Sequence, residues 1–262
     1  MAEIKRTQAE LDEIFRKMKQ DYLKLNKRHQ EFAIREIGKI RGEIAEFLVE
    51  YADEDGKISR RRASMIARDL EDIEKSLREK GEKAFNDVIN DSSEWTTRQI
   101  SKAVGITLNT SQFDRINKQV LKYVTGRFGD DDLVLSDRVW GLSAEVRDEL
   151  SSVVRREIIK GEGINAMVPK IRKVYNNETW KIRRLARTES VTAHRAATSY
   201  NAKESEIVDW VQLIPGENRS EGCVSLAEAD PYGKGPGIYK PTDTEIWMPH
   251  PNCTSYIKYV LD

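Results

Sequence analysis

The sequence predicts a mainly α-helical protein with long N-terminal helices, a helical body and a small, loop-rich α+β module at the C-terminus. Charged residues make up 34% of the chain and hydrophobic residues 39%, which suits long solvated helices better than a thick core. Apolar residues recur at helical spacing through most of the first 200 positions. Beyond about residue 205, β-branched residues, prolines and glycines become frequent, which is typical of short strands and turns.

The N-terminal region, residues 4–52, carries an apolar stripe with no proline and with glycine only at positions 38 and 42. We expect one helix of about 48 residues, which would be ~70 Å long. A helix of that length is rarely explained by the core of its own chain, so we expect the stripe to face partner helices or other subunits. We therefore predict that residues 1–135 form an extended α-helical assembly region, and that a chain lacking residues 1–52 still folds.

A turn at residues 52–59 is expected to lead into a second long helix. Shorter helices are predicted at 93–104, 111–126, 136–160, 164–175 and 178–203, with turn or capping signals at Asp91-Ser92-Ser93, Asn109-Thr110 and Ser136-Asp137. The segment EIVDWVQLI (206–214) predicts a strand, and EIWMP (245–249) and TSYIKYVLD (254–262) predict short closing strands. Residues 136–262 would then form the second domain, helical to about residue 203.

Charge is balanced overall, with 44 basic and 44 acidic residues, and so implies no polyanionic partner by itself. Within residues 151–187, however, ten Lys or Arg residues face three acids, a net charge of +7. This run is either a set of solvated helix faces or a phosphate-facing surface, for which binding to DNA would be non-specific and salt-sensitive. The residues that could contact DNA are Arg155, Arg156, Lys170, Arg172, Lys173, Lys181, Arg183 and Arg184.

Localisation signals are few. No apolar run approaches the ~18 residues of a membrane span, and the first residues lack the apolar core of a signal peptide. Two cysteines cannot form a disulfide framework, which favours a reducing intracellular environment.

The two cysteines and a histidine form the candidate metal site: Cys223, His250 and Cys253. Thiolate and imidazole are suitable zinc ligands, and Pro249 and Pro251 would restrict the turn between the last two. A fourth ligand would have to be Asp, Glu or water. Alternatively, the cysteines are small buried apolar residues with His250 bonded to backbone, or they belong to a catalytic Cys–His pair with no evident orienting residue. We expect no cofactor, with zinc at these three residues as the one exception.

Three stretches together resemble the head morphogenesis proteins of tailed phages, the minor head protein family related to protein F of phage Mu. They are RRLARTESVTAHRAATSYNAK (183–203), DWVQLIPGENRSEGC (209–223) and MPHPNCTSY (248–256). The family pattern is a helix with Ala-Arg-Thr-Glu, an aromatic strand, an acidic-x-Arg-Thr turn near Cys or His, and a closing His-Pro-x-Cys. Here Ser220 and Ser255 stand where many members have further cysteines or ligands, so a four-cysteine zinc site cannot be assembled.

The resemblance implies a structural minor head protein of a tailed phage or prophage, not an enzyme. Its partners would be the portal protein, on which it would form an oligomer, and other capsid or scaffolding proteins, with packaged or ejected DNA as a further contact. It would reside in the virion, and in the host cytoplasm during assembly. The alternative is a zinc-dependent hydrolase or nucleotide-group transferase on the C-terminal module.

A structural ion-pair network is also expected in this module. We predict that Glu189 or Glu217 pairs with Arg187 or Arg219 and ties the tail to the last long helix. Arg187 and Glu189 are two positions apart on a helix and so do not share a face, which indicates that each has a different partner.

Overall fold

A computed structural model describes residues 6–105, 108–129, 131–205, 208–218, 220–248, 250 and 253–261. The helices are α1 (Gln8–Gly38), α2 (Ile40–Glu50), α3 (Ala63–Val104), α4 (Thr110–Gly126), α5 (Leu135–Lys160), α6 (Ile164–Glu204) and α7 (Glu221–Glu228). The strands are β1 (Trp210–Ile214), β2 (Ile238–Tyr239) and β3 (Tyr256–Val260). The predicted fold class is confirmed: long helices dominate, and a small sheet lies near the C-terminus.

The sheet is antiparallel, with β1 between β2 and β3. Val211 pairs with Tyr239 on one side, and Trp210 to Ile214 pair with Val260 to Tyr256 on the other. The strand predicted within EIWMP is wrong, because Thr244–Ile246 form a 3-10 helix. Ile246 and Trp247 are adjacent and both buried, which an alternating strand does not permit.

Two of the predicted helix breaks do not occur. The chain remains helical through Asp91-Ser92-Ser93, within α3, and between residues 175 and 178, within α6. Ser92 and Ser93 are fully buried, and their hydroxyls donate to Ser190 O (2.9 Å) and Asn117 Oδ1 (2.6 Å). The serines therefore join helices instead of capping one.

Other local signals agree with the structure. Asn109 caps α4 in a capping box with Gln112. The turn after residue 51 is stabilised by Asp53 Oδ1, which accepts the backbone N–H groups of Asp55 and Lys57. The expected 48-residue N-terminal helix is divided, since α1 ends at Gly38 and α2 begins at Ile40.

The chain forms two compact units, and both are discontinuous in sequence. The first contains the residues up to Gln30, Asn86–Asp132 and the residues from Arg184 onward; the second contains Glu31–Phe85 and Leu133–Arg183. The boundary predicted near residue 135 does not separate these units, because α1, α3 and α6 contribute residues to both.

The N-terminal apolar stripe is buried within the chain itself, contrary to the expectation that it faces partners. In the first unit, Leu11, Phe15 and Tyr22 are almost fully buried, and the Phe15 ring lies 4.9 Å from that of Tyr259 in β3. Lys258 Nζ also donates to Asp12 at 2.8 Å. A chain without residues 1–52 would lose this core, so the structure favours loss of stability over the predicted independent folding.

Among the described residues, none of the helices combines the length and the apolarity that crossing a membrane requires.

Candidate metal centre and the buried arginine beside it

Arg195, on α6 in the first unit, is the largest fully buried side chain described. Its Nη1 donates to Ile246 O (3.3 Å), and its Nη2 donates to Ser255 O (3.0 Å) and to Cys253 Sγ (2.9 Å). A buried guanidinium is costly unless acceptors surround it. The arginine therefore fixes the 3-10 helix and the start of β3 against α6.

Two thiols and an imidazole meet beside this arginine. Cys223 and Cys253 are free and buried, with their Sγ atoms 3.6 Å apart. One ligand atom from each of Cys223, His250 and Cys253 lies within 4.8 Å of the others. The structure thus brings together the three ligands predicted for a metal. Pro249 and Pro251 lie outside the described residues.

Local hydrogen bonds set the positions of these ligands. Ser220 caps α7, and its Oγ accepts the Cys223 N–H at 3.3 Å. The Ser220 N–H in turn donates to His250 Nε2 at 3.1 Å. Cys253 N also donates to His250 O at 3.1 Å. Nε2 accepts the Ser220 N–H with its ring lone pair, so a metal bound at Nε2 would replace that hydrogen bond.

The two thiols have different acidities. The two sulfurs share one hydrogen bond, which lowers the pKa of Cys253 and raises that of Cys223. The charge of Arg195 lowers the pKa of Cys253 further, against the opposing effect of burial. Both shifts favour Cys253 over Cys223 as the thiolate, which is the form that binds a metal.

His194, next to Arg195, has a structural role. Burial, assisted by the charge of Arg195, lowers its pKa to about 3. Its ring stacks on Tyr22 with centroids 3.9 Å apart, and Nδ1 lies 2.7 Å from Thr96 Oγ1. This imidazole is neutral at physiological pH and joins α1, α3 and α6.

A second cluster contains the residue types of a hydrolase triad. His29 Nδ1 lies 2.9 Å from Ser190 Oγ, and His29 Nε2 lies 2.8 Å from Asp91 Oδ2. Ser190 is fully buried, however, and its Oγ also lies 2.5 Å from Tyr22 Oη, whereas the Asp91 side chain is 64% exposed. A nucleophile in the interior of a helix bundle cannot reach a substrate, so this cluster holds α1, α3 and α6 together.

One ion pair between described residues includes a residue of the predicted network, and the pairing with Arg219 stays a prediction. Glu189 is fully buried and pairs with Arg127, the residue after α4, at 2.8 Å. Arg187 contributes its backbone carbonyl, which accepts from Asn26 Nδ2 at 3.2 Å. Glu217 is exposed and has no ion pair with a described residue, and Arg219 lies outside the described residues. The Arg127 partner of Glu189 was missed because it is 62 positions away.

The predicted DNA-contacting residues fall into two groups. Arg156 and Lys170 pair with Glu157, Lys181 pairs with Glu145 and Glu178, and Arg183 pairs with Glu31. The side chains that form no ion pair with a described residue are those of Arg155, Arg172, Lys173 and Arg184, which are exposed. Four of the eight predicted DNA-contacting residues are thus paired with acids. Two of these acids, Glu31 and Glu145, lie outside residues 151–187.

Sequence reasoning missed Arg195, although one signal for it was available. In VTAHRAATS (191–199), it is a single formally charged residue among small and apolar neighbours. An arginine in such a setting is buried only with strong partners.

The fold and the site define a mainly α protein whose small antiparallel sheet lies beside a buried arginine and a Cys–His–Cys group. Compared with family models, curated proteins and solved structures, the chain matches none of them.

Proposed function

We propose that this protein is a structural minor head protein of a tailed phage or prophage, acting in capsid assembly at the portal. The observation that supports the proposal is the convergence of three stretches around the contact of Arg195 with Cys253. These stretches carry the resemblance to head morphogenesis proteins, and they supply Arg195 itself, Cys223 and the Cys253–Ser255 segment. Residues up to 60 positions apart thereby form one closed module.

The bonding of this module favours a role in contact over a role in chemistry. Two of the three acceptors of Arg195 are backbone carbonyls, so its charge is used to hold chain segments in place. Cys223 and Cys253 are 5% and 2% exposed. The substrate of a hydrolase or a transferase would therefore have little access to these sulfurs.

Contact with a portal requires exposed apolar side chains, since the N-terminal stripe is internal. Trp140 and Trp180 in the second unit are 55% and 54% exposed. Tryptophan is enriched among the residues that dominate protein–protein binding energy. We therefore assign portal contact to these two side chains, and portal-bound copies would form the oligomer.

Co-expression with the portal protein of the same phage or prophage tests the proposal. A tagged portal should retain this protein, and Trp140→Ala or Trp180→Ala should each weaken retention about tenfold or more, as expected for a buried tryptophan contact. Asn177→Ala, an exposed polar change on α6, is the matched control and should leave retention unchanged. A folded wild-type chain that the portal does not retain would refute the proposal.

A further inference from the structure

The two sulfurs of the Cys–His–Cys group have the spacing of a preformed chelate. Two sulfurs bound to one zinc ion at ~2.3 Å with a tetrahedral angle lie about 3.8 Å apart. In this structure the two Sγ atoms are 3.6 Å apart, so both can bind one ion with little movement. A ring nitrogen of His250 lies within the same 4.8 Å group, and it would move closer to the sulfurs on binding, because sulfur and nitrogen bound to one zinc ion lie roughly 3.6 Å apart.

We propose that Cys223, His250 and Cys253 bind one zinc ion, with Arg195 as a positioning residue for Cys253. The fourth coordination position belongs to water or to a donor from outside this group. The inference goes beyond the proposed function and does not depend on it. Zinc would cross-link the start of α7 to the segment before β3, in a region built of short elements.

The chemistry of the ligands selects zinc over the hard cations. Sulfur and imidazole nitrogen suit zinc, whereas calcium and magnesium take oxygen ligands. Both cysteines would bind as thiolates, and any thiol proton passes to solvent when the metal binds. Two thiolates balance the charge of the ion, so Arg195 then serves as a hydrogen-bond donor to sulfur, an outer-shell contact that tunes metal affinity.

The test uses the full chain, purified with a phosphine reductant, loaded with zinc chloride and freed of excess metal. We expect about one zinc per chain by mass spectrometry and a higher melting temperature than after chelation. Cobalt in place of zinc should produce the charge-transfer band of cobalt–thiolate bonds and the intense visible bands of four-coordinate cobalt. The spectrum identifies the ligands in the wild-type chain even if a variant fails to fold.

Variants locate the site within the chain. Cys253→Ser and Cys223→Ser should each abolish stoichiometric binding, whereas Ser225→Ala on the exposed face of α7 should leave it unchanged. Arg195→Lys should retain one zinc per chain but lower the affinity ~10–100-fold and shift the cobalt–thiolate band, which a role in folding alone would not do.

Three results would each overturn the inference. They are a folded, reduced wild-type chain without zinc, a cobalt spectrum without thiolate bands, and undiminished zinc in the chain lacking both cysteines. A zinc-free protein that still binds the portal would refute this inference and leave the proposed function standing.

Discussion

At the scale of single residues, the least expected feature is Arg195. A buried guanidinium is stable only where its donors meet acceptors, and here the acceptors come from Ile246, Cys253 and Ser255, 51 to 60 positions away. The small neighbours of Arg195 indicate burial, but no local pattern indicates which distant carbonyls it will meet. The three candidate metal ligands could be selected from the sequence because thiols and imidazoles are so rare in it, with two cysteines and three histidines.

Replacing this arginine tests its structural role. Arg195→Ala should lower the free energy of unfolding by about 3 kcal/mol or more, because two buried carbonyls and a thiolate lose their donor. Chemical denaturation of the isolated protein measures the change. Arg184→Ala, an exposed change on the same helix, should cost less than about 0.5 kcal/mol. Equal effects of the two substitutions would contradict this account.

At the scale of elements, helices and strands with strong periodicity were predictable, including α4 with its Asn109 cap and the strands β1 and β3. The errors have a common physical cause. Ser92 and Ser93 have the chemistry of helix caps, yet buried partners on other helices use their hydroxyls. Likewise, the apolar stripe of α1 predicts that another surface covers it, but it does not indicate whether that surface belongs to the same chain.

A matched pair of substitutions on α1 tests whether its apolar stripe is packed by this chain or by a partner. Phe15 is 1% exposed and contacts Tyr259, whereas Leu23 is 36% exposed. Phe15→Ala should destabilise the isolated protein by about 3–5 kcal/mol, since a large buried ring leaves a cavity. Leu23→Ala should cost less than about 1 kcal/mol. If Phe15→Ala left the thermal and chemical stability of the isolated chain unchanged, α1 would be packed by a partner and not by this core.

At the scale of the whole molecule, the two units are discontinuous and the ion pairs join segments distant in sequence. Counting charges in residues 151–187 gives ten basic residues and three acids, but Lys181 pairs with Glu145 and Arg183 with Glu31, both outside that window. A linear window cannot show such pairing, because folding brings acids from other helices to the basic side chains. The domain boundary near residue 135 was drawn from the same linear view, whereas folding combines three separate segments into the first unit.

Any binding to DNA should therefore be weak, non-specific and only moderately dependent on salt. The cations without an ion pair to a described residue are Arg155, Arg172, Lys173 and Arg184. Four phosphate contacts correspond to a slope of log affinity against log salt of about −3.6, where the eight predicted residues would give about −7. Fluorescence anisotropy with duplexes of unrelated sequence between ~50 and ~200 mM salt measures this slope.

Neutralising Arg172 and Lys173 together by Gln should make the slope shallower by about 2. Arg183→Gln should change it little, because Glu31 already pairs with that guanidinium. A slope near −7, or a strong preference for one sequence, would show that the paired cations also reach phosphates or that bases are read, contrary to this prediction.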